Sequence, residues 1–244
     1  IKQDGDRVLV HCFAGCLWSD CVEALGIERG AFSNRGTSPP PEVVKPPLPP
    51  ISLDVIEPLP KVAREWLTKH RCISEKVQKW ARLGCARDRV AIPVWDKDGN
   101  IVDIRLWLRP EKRTNGQSKI FSWERGRGGS RLYPIDGNGP EEVVLCAGEL
   151  DALALMSLNI PALTTTGSES SFPRRIAQEM KDLGIKRVRV LLDADETGIK
   201  GTQLRIERLR EQGIEATGIF WQNRLKGWDV TDEIREYGNV NNIL

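Results

Sequence analysis

The sequence predicts an α/β fold, a parallel sheet with helices on both faces, preceded by a smaller α+β basic subdomain. Three observations predict it. From Val143 to Phe220 short apolar runs alternate with amphipathic stretches, strand then helix. The run Val188 to Leu192 stops abruptly at Asp193-Ala194-Asp195, as a buried parallel strand does where a helix begins. Upstream, Val90 to Trp95 and Ile101 to Trp107 flank Asp96-Lys97-Asp98-Gly99-Asn100, a hairpin signal.

Taken in order, the first segment holds a short strand, Arg7 to His11, then Cys12-Phe13-Ala14-Gly15-Cys16 and a helix from about Ser19 to Leu25. Cys12 and Cys16 have the look of half a zinc ribbon, with His11 and Cys21 as weaker ligands. A structural zinc needs four ligands, and no second pair is present here. Buried or inert thiols are therefore the other reading of this segment. The chain starts at Ile1 rather than methionine, so it is read as a piece of a longer protein. Residues 36 to 60 carry nine of the fifteen prolines, which excludes a helix or a central strand and makes a semi-stiff linker.

From Lys61 the chain reads as helical. Val62, Trp66 and Leu67 recur at helical spacing, and Val77, Trp80, Ala81 and Leu83 do so again up to Gly84. After the hairpin, positive residues gather between Arg109 and Arg131, with Lys119, Arg125 and Arg127 among them and Trp107, Phe121 and Trp123 interleaved. Such a stretch suits a single-stranded nucleic acid, the cations for its backbone and the rings for its bases. A solvated charged face over core aromatics is the alternative. The later elements are strands Val143 to Cys146, Ile160 to Thr165, Arg187 to Leu192 and Glu215 to Phe220. Helices Glu149 to Leu158, Pro173 to Leu183 and Gly198 to Gln212 lie between them.

Composition excludes several classes. Lys and Arg number 36 against 34 Asp and Glu, so net charge says almost nothing about partners. Six cysteines are scattered without a secreted disulfide framework, which favours a reducing compartment, the cytoplasm. No run is long and apolar enough to span a membrane. No GxxxxGK[ST] phosphate loop is present, so a motor ATPase domain is absent from the chain.

Three acidic clusters fall at equivalent places in the alternating pattern: Glu149 and Asp151 after the first strand, Asp193 and Asp195 after the third, Asp229 after the last. At the carboxyl edge of one sheet they would converge on one pocket. Several carboxylates without a phosphate loop suit metal-assisted phosphoryl transfer, with Mg²⁺ or Mn²⁺ as the hard cation. For Asp193 and Asp195 taken alone, an acidic helix cap is an equal reading.

Cys146-Ala147-Gly148-Glu149-Leu150-Asp151, Leu192-Asp193-Ala194-Asp195-Glu196-Thr197-Gly198 and Asp229-Val230-Thr231-Asp232 together resemble the Toprim domain, and more narrowly DnaG-type and phage or plasmid primases. Trp95 to Arg105 and Lys119 to Tyr133 are similar to the basic subdomain that precedes Toprim in that family. Val8 to Cys16 is similar to the second half of its zinc-binding module. The resemblance implies a partial zinc module over 1–35, a linker over 36–60, a basic subdomain over 61–140 and a Toprim domain over 141–244. It implies RNA primer synthesis from ribonucleoside triphosphates on a single-stranded DNA template, beside a replicative helicase. Asp193, Asp195 and Glu149 would be catalytic and hold Mg²⁺ or Mn²⁺, with Asp151 and Asp229 near the ion. Arg105, Lys119, Arg125, Arg127 and Arg131 would hold template or triphosphate, and Cys12 and Cys16 would be part of a Zn²⁺ site. One departure stands out. The family has a glutamate, taken as the general acid/base, directly before the glycine; here that position is Ala147. Either Glu149 takes over, or nucleotidyl transfer is weak or absent.

Overall fold

The computed structural model describes residues 2–4, 7–9, 24, 48–124, 126–135, 139–167, 170–241 and 243–244. Strands β1 (Lys2–Asp4) and β2 (Arg7–Leu9) form an antiparallel pair. Cys12, Cys16 and Arg125, and the expected helix near Ser19 apart from residue 24, lie outside the described residues.

A first sheet is antiparallel throughout, in the order β3 (Glu57–Pro58), β4 (Gly84–Ala86), β5 (Arg89–Trp95), β6 (Ile101–Trp107), β7 (Ile120–Ser122). β5 and β6 are the hairpin expected from the sequence. Helices α1 (Lys61–Arg71) and α2 (Glu75–Trp80) are inserted between β3 and β4. The Ser74 hydroxyl caps α2 by accepting from the Val77 N–H. The helical spacing read as far as Gly84 is corrected: α2 stops at Trp80, and Gly84 begins β4. The reason is a close approach. A Cβ on Gly84 would lie 2.0 Å from Ile56 Cγ2 and 2.5 Å from the Glu57 carbonyl, so β3 and β4 can pair only across a glycine.

The second sheet runs β12 (Glu215–Gly218), β11 (Arg187–Leu191), β9 (Glu142–Cys146), β10 (Ala162–Thr165), β8 (Leu132–Tyr133). β9 to β12 are parallel, and β8 is antiparallel to β10. Residues upstream of 141 therefore cover the open edge of β10, which would otherwise present unpaired backbone groups. Helices α3 (Glu149–Ser157), α4 (Arg174–Asp182) and α5 (Glu196–Glu211) connect the parallel strands, and α6 (Val230–Tyr237) follows.

α3 is apolar nearly all round because it is enclosed. Leu150, Ala152, Leu153, Ala154 and Leu155 are all buried. They share one core with Leu67 of α1, Val77 of α2, Ile92 of β5, and Val230 and Ile234 of α6. The opposite face is covered by α4 and α5, where Ile176, Met180 and Leu209 pack on Val143 and Val188. Each fully buried aliphatic side chain contributes about 1.5–3 kcal/mol. The shared core therefore fixes the first sheet against the second, and basic strands are held at a set distance from acidic strand ends.

The order of strands locates the site. From β9 the chain crosses to β10 on one side; from β11 it crosses to β12 on the other. The carboxyl ends of β9 and β11, which are neighbours, flank a topological switch point, where open α/β sheets leave a crevice.

Candidate catalytic pocket

Each acidic motif sits at the start of a helix. Gly148 precedes α3, and its first turn carries Glu149 and Asp151. Asp195 precedes α5, where its Oδ1 accepts the Gly198 N–H at 2.7 Å. Asp229 precedes α6 in a capping box: its Oδ1 accepts the Asp232 N–H at 2.8 Å, and Asp232 Oδ2 accepts the Asp229 N–H at 3.3 Å. Acids are favoured here by the exposed N–H groups and the helix dipole. Capping does not exclude ligand binding, because Asp195 caps through Oδ1 alone. Gly198 is required: a Cβ there would lie 2.1 Å from the Asp193 carbonyl oxygen.

Glu149, Asp151, Asp193 and Asp229 line one pocket of about 180 Å³ with Arg71, Trp107, Lys119 and Ala147. Asp195 is not in its wall. Among the described residues no three His, Cys, Asp or Glu side chains stand close enough to form a ready-made metal site. The donor chemistry fits a hard dication nevertheless, since all four acids offer oxygen. The charge balance agrees. Asp151 is pushed up to about 7, by burial first and then by the charge of Asp229. Arg71, Lys119 and the Thr231 hydroxyl, which donates to Asp151 Oδ1 at 3.0 Å, act the other way. Asp232 is also raised, by burial and by Asp229.

Asp151 makes a testable contribution to stability. Its folded value lies above its ordinary 3.8, so folding favours the protonated form. That contribution is complete below about pH 4 and is lost as pH rises through about 7. Asp151→Asn keeps an acceptor for Thr231 but does not ionise. Its stability advantage over the parent is expected to grow between those limits and level off above them at up to about 4 kcal/mol. Thermal melts across that range, without divalent metal, measure it; a gap independent of pH would refute the assignment.

The basic residues are divided by the fold. Arg105 Nε donates to Glu149 Oε1 at 3.0 Å and Nη1 donates to Ser122 Oγ at 2.8 Å, so this arginine holds a carboxylate. Lys119 is exposed and lines the pocket. Arg127 is buried, with its nitrogens on Glu124 and on the Val102 and Pro49 carbonyls. Arg131 is half-buried, and burial lowers its proton affinity. Tyr133 is buried as well, its phenol pushed up by burial and by the charge of Glu149.

Two partners of the pocket acids were not legible in the sequence. Arg71 closes α1, and its Nη1 lies 3.5 Å from Asp229 Oδ2. Thr231 reaches Asp151. The basic end of α1, Lys69-His70-Arg71, reads locally as a helix-dipole complement and gives no sign of a distant acid. Glu233, in the same acidic run as Asp229, is structural. It is fully buried and accepts twice from Arg224 and once from Trp228 Nε1.

A family model described as Toprim-like matches residues 144–232, the span that carries all three acidic motifs. Over these residues the chain is Toprim-like. The described architecture is similar in fold to solved DnaG-type primase cores. A solved DnaG catalytic core is 19% identical, covers 74% of this chain and 70% of its own, and superposes with a TM-score of 0.60. For the zinc-binding and RNA polymerase domains of the Aquifex aeolicus primase the values are 18%, 73%, 53% and 0.58. For a DnaG primase catalytic domain bound to single-stranded DNA they are 18%, 73%, 69% and 0.57. The chain thus spans about half the length of the Aquifex aeolicus chain. At such identities the likeness is one of fold. No curated protein sequence matches. Among the described residues no helix is long and apolar enough to cross a membrane.

Proposed function

We propose that the chain is the core of a primase-type nucleotidyltransferase, which makes RNA primers on single-stranded DNA from ribonucleoside triphosphates. The observation that carries this reading is the shared pocket. Carboxylates from three separate segments, Glu149 with Asp151, Asp193, and Asp229, meet Arg71 and Lys119 at the switch point of a Toprim domain. In the reaction the 3′-hydroxyl of one nucleotide attacks the α-phosphorus of the next and pyrophosphate leaves. Asp193 and Asp195 would hold Mg²⁺ or Mn²⁺, with Glu149 assisting and Asp151 or Asp229 beside it. A bound dication supplies charge stabilisation at the phosphoryl oxygens. Lys119 and Arg71 place positive charge where a triphosphate would enter, and Arg105 keeps the Glu149 carboxylate oriented. The enzyme would act in the cytoplasm beside a replicative helicase, and Cys12 and Cys16 would be part of a Zn²⁺ site. The test is RNA synthesis without a primer on single-stranded DNA, with and without Mg²⁺ or Mn²⁺. No product under either metal rejects the reading.

A second reading has its own support: a nucleic-acid-binding module whose transfer activity has decayed. Ala147 stands in the pocket wall where the family places a glutamate, and Glu149 is tied to Arg105. A strand-cleaving role with a tyrosine nucleophile has less support, because Tyr133 is buried and Tyr237 lies under the Arg224 guanidinium.

A further inference from the structure

Arg105 stands between two carboxylates. On β6 it shares a face with Asp103, whose Oδ2 lies 3.9 Å from Arg105 Nη1. Toward the second sheet, Glu149 Oε1 accepts from Arg105 Nε at 3.0 Å. All three side chains are almost completely buried, so water screens neither attraction well. A guanidinium in this position is pulled both ways. Glu149, 44 residues away, holds the short contact, and Asp103, on the same strand, does not.

Ser122 accounts for that outcome. It is paired directly across from Arg105 between β6 and β7, and its Oγ accepts from Arg105 Nη1 at 2.8 Å. Nη1 is the same nitrogen that faces Asp103, so the hydroxyl engages the very donor for which Asp103 competes. The hydroxyl has little freedom to move. A Cβ on Gly128 would lie 3.1 Å from Ser122 Oγ, so only a glycine there leaves it room. Asp103 is held as well: its Oδ1 accepts the Ile104 N–H at 2.8 Å and the Trp123 N–H at 3.1 Å. Ser122 and Trp123 are consecutive, so the end of β7 seats both the serine and the aspartate that flank the guanidinium.

We propose that Ser122 is a positioning residue for Glu149 and acts through Arg105. By taking Nη1 it keeps the guanidinium from closing on Asp103, and so keeps Nε on the pocket carboxylate. Without the hydroxyl, Arg105 moves toward Asp103 and Glu149 loses its fixed orientation. A carboxylate that ligates a metal depends on such partners. The inference rests on the nucleotidyltransferase reading, in which Glu149 assists the dication, and it adds the residue that decides how Glu149 is presented.

The experiment is Mn²⁺ titration of the full chain, followed by the EPR signal of the free ion, with Asp193→Asn marking the share of binding that belongs to the pocket. Ser122→Ala is expected to weaken that binding about tenfold, the scale for losing a partner of a metal ligand. Adding Asp103→Asn to Ser122→Ala is expected to return the affinity to within about threefold of the parent, because asparagine keeps an acceptor for the two N–H groups and no longer attracts the guanidinium. A serine that merely packed β7 would give no such recovery. Unchanged Mn²⁺ affinity in Ser122→Ala, or a loss that Asp103→Asn does not repair, overturns this inference and leaves the proposed function standing. A parent that binds no Mn²⁺ through Asp193 overturns both.

Discussion

Asp193→Asn is expected to lower template-dependent RNA synthesis at least about a hundredfold and to leave oligonucleotide binding within about twofold. The position makes the substitution clean. Asp193 follows β11, a strand paired on both sides, and its surroundings are fixed by backbone. The Ala194 N–H donates to the Trp228 carbonyl at 2.9 Å, the Gly227 N–H donates to the Ala194 carbonyl at 3.1 Å, and Gly198 abuts the Asp193 carbonyl. Asparagine keeps the shape and removes the charge, so a lost activity would report the carboxylate and not the fold. Primer synthesis and anisotropy on the same preparation check it. Synthesis that persists in Asp193→Asn would remove the assigned mechanism.

Ala147→Glu is expected to raise metal-dependent synthesis at least about tenfold. Ala147 is in the pocket wall directly after β9, beside the strand that delivers Asp193. A glutamate there adds a carboxylate that Arg105 does not already hold, whereas Glu149 gives one oxygen to Arg105 Nε. Assays with the parent and the variant at several Mn²⁺ concentrations read both rate and apparent metal affinity. A silent parent with an active variant would favour the decayed-module reading. An active parent that the glutamate does not improve would show that Glu149 already does the work.

The parallel half of the fold was legible because its signals are local. Apolar runs of four to six residues, separated by helix-forming stretches, become β9 to β12 and the helices between them, with bounds that shift by a residue or two. The hairpin was equally local. The misread stretch, Val77 to Gly84, failed for a tertiary reason: helical spacing continues in the sequence, but Gly84 is where β4 passes Ile56 at contact distance. β8 was missed for a similar reason. Leu132 and Tyr133 are too short a run to signal a strand, and they become one only because β10 needs an edge partner.

The sequence alone determined which residue types stand at the strand ends, and therefore that acids would gather at one rim of the sheet. The tertiary structure alone decided their partners. Arg105, expected to hold template or triphosphate, donates to Glu149, 44 residues away; Asp151 meets Thr231 across 80 residues. Periodicity along a chain reports which way a side chain faces, and neighbours in sequence set its local backbone. Which distant charge it meets depends on how the two sheets pack through their shared core, and that packing is a property of the whole fold.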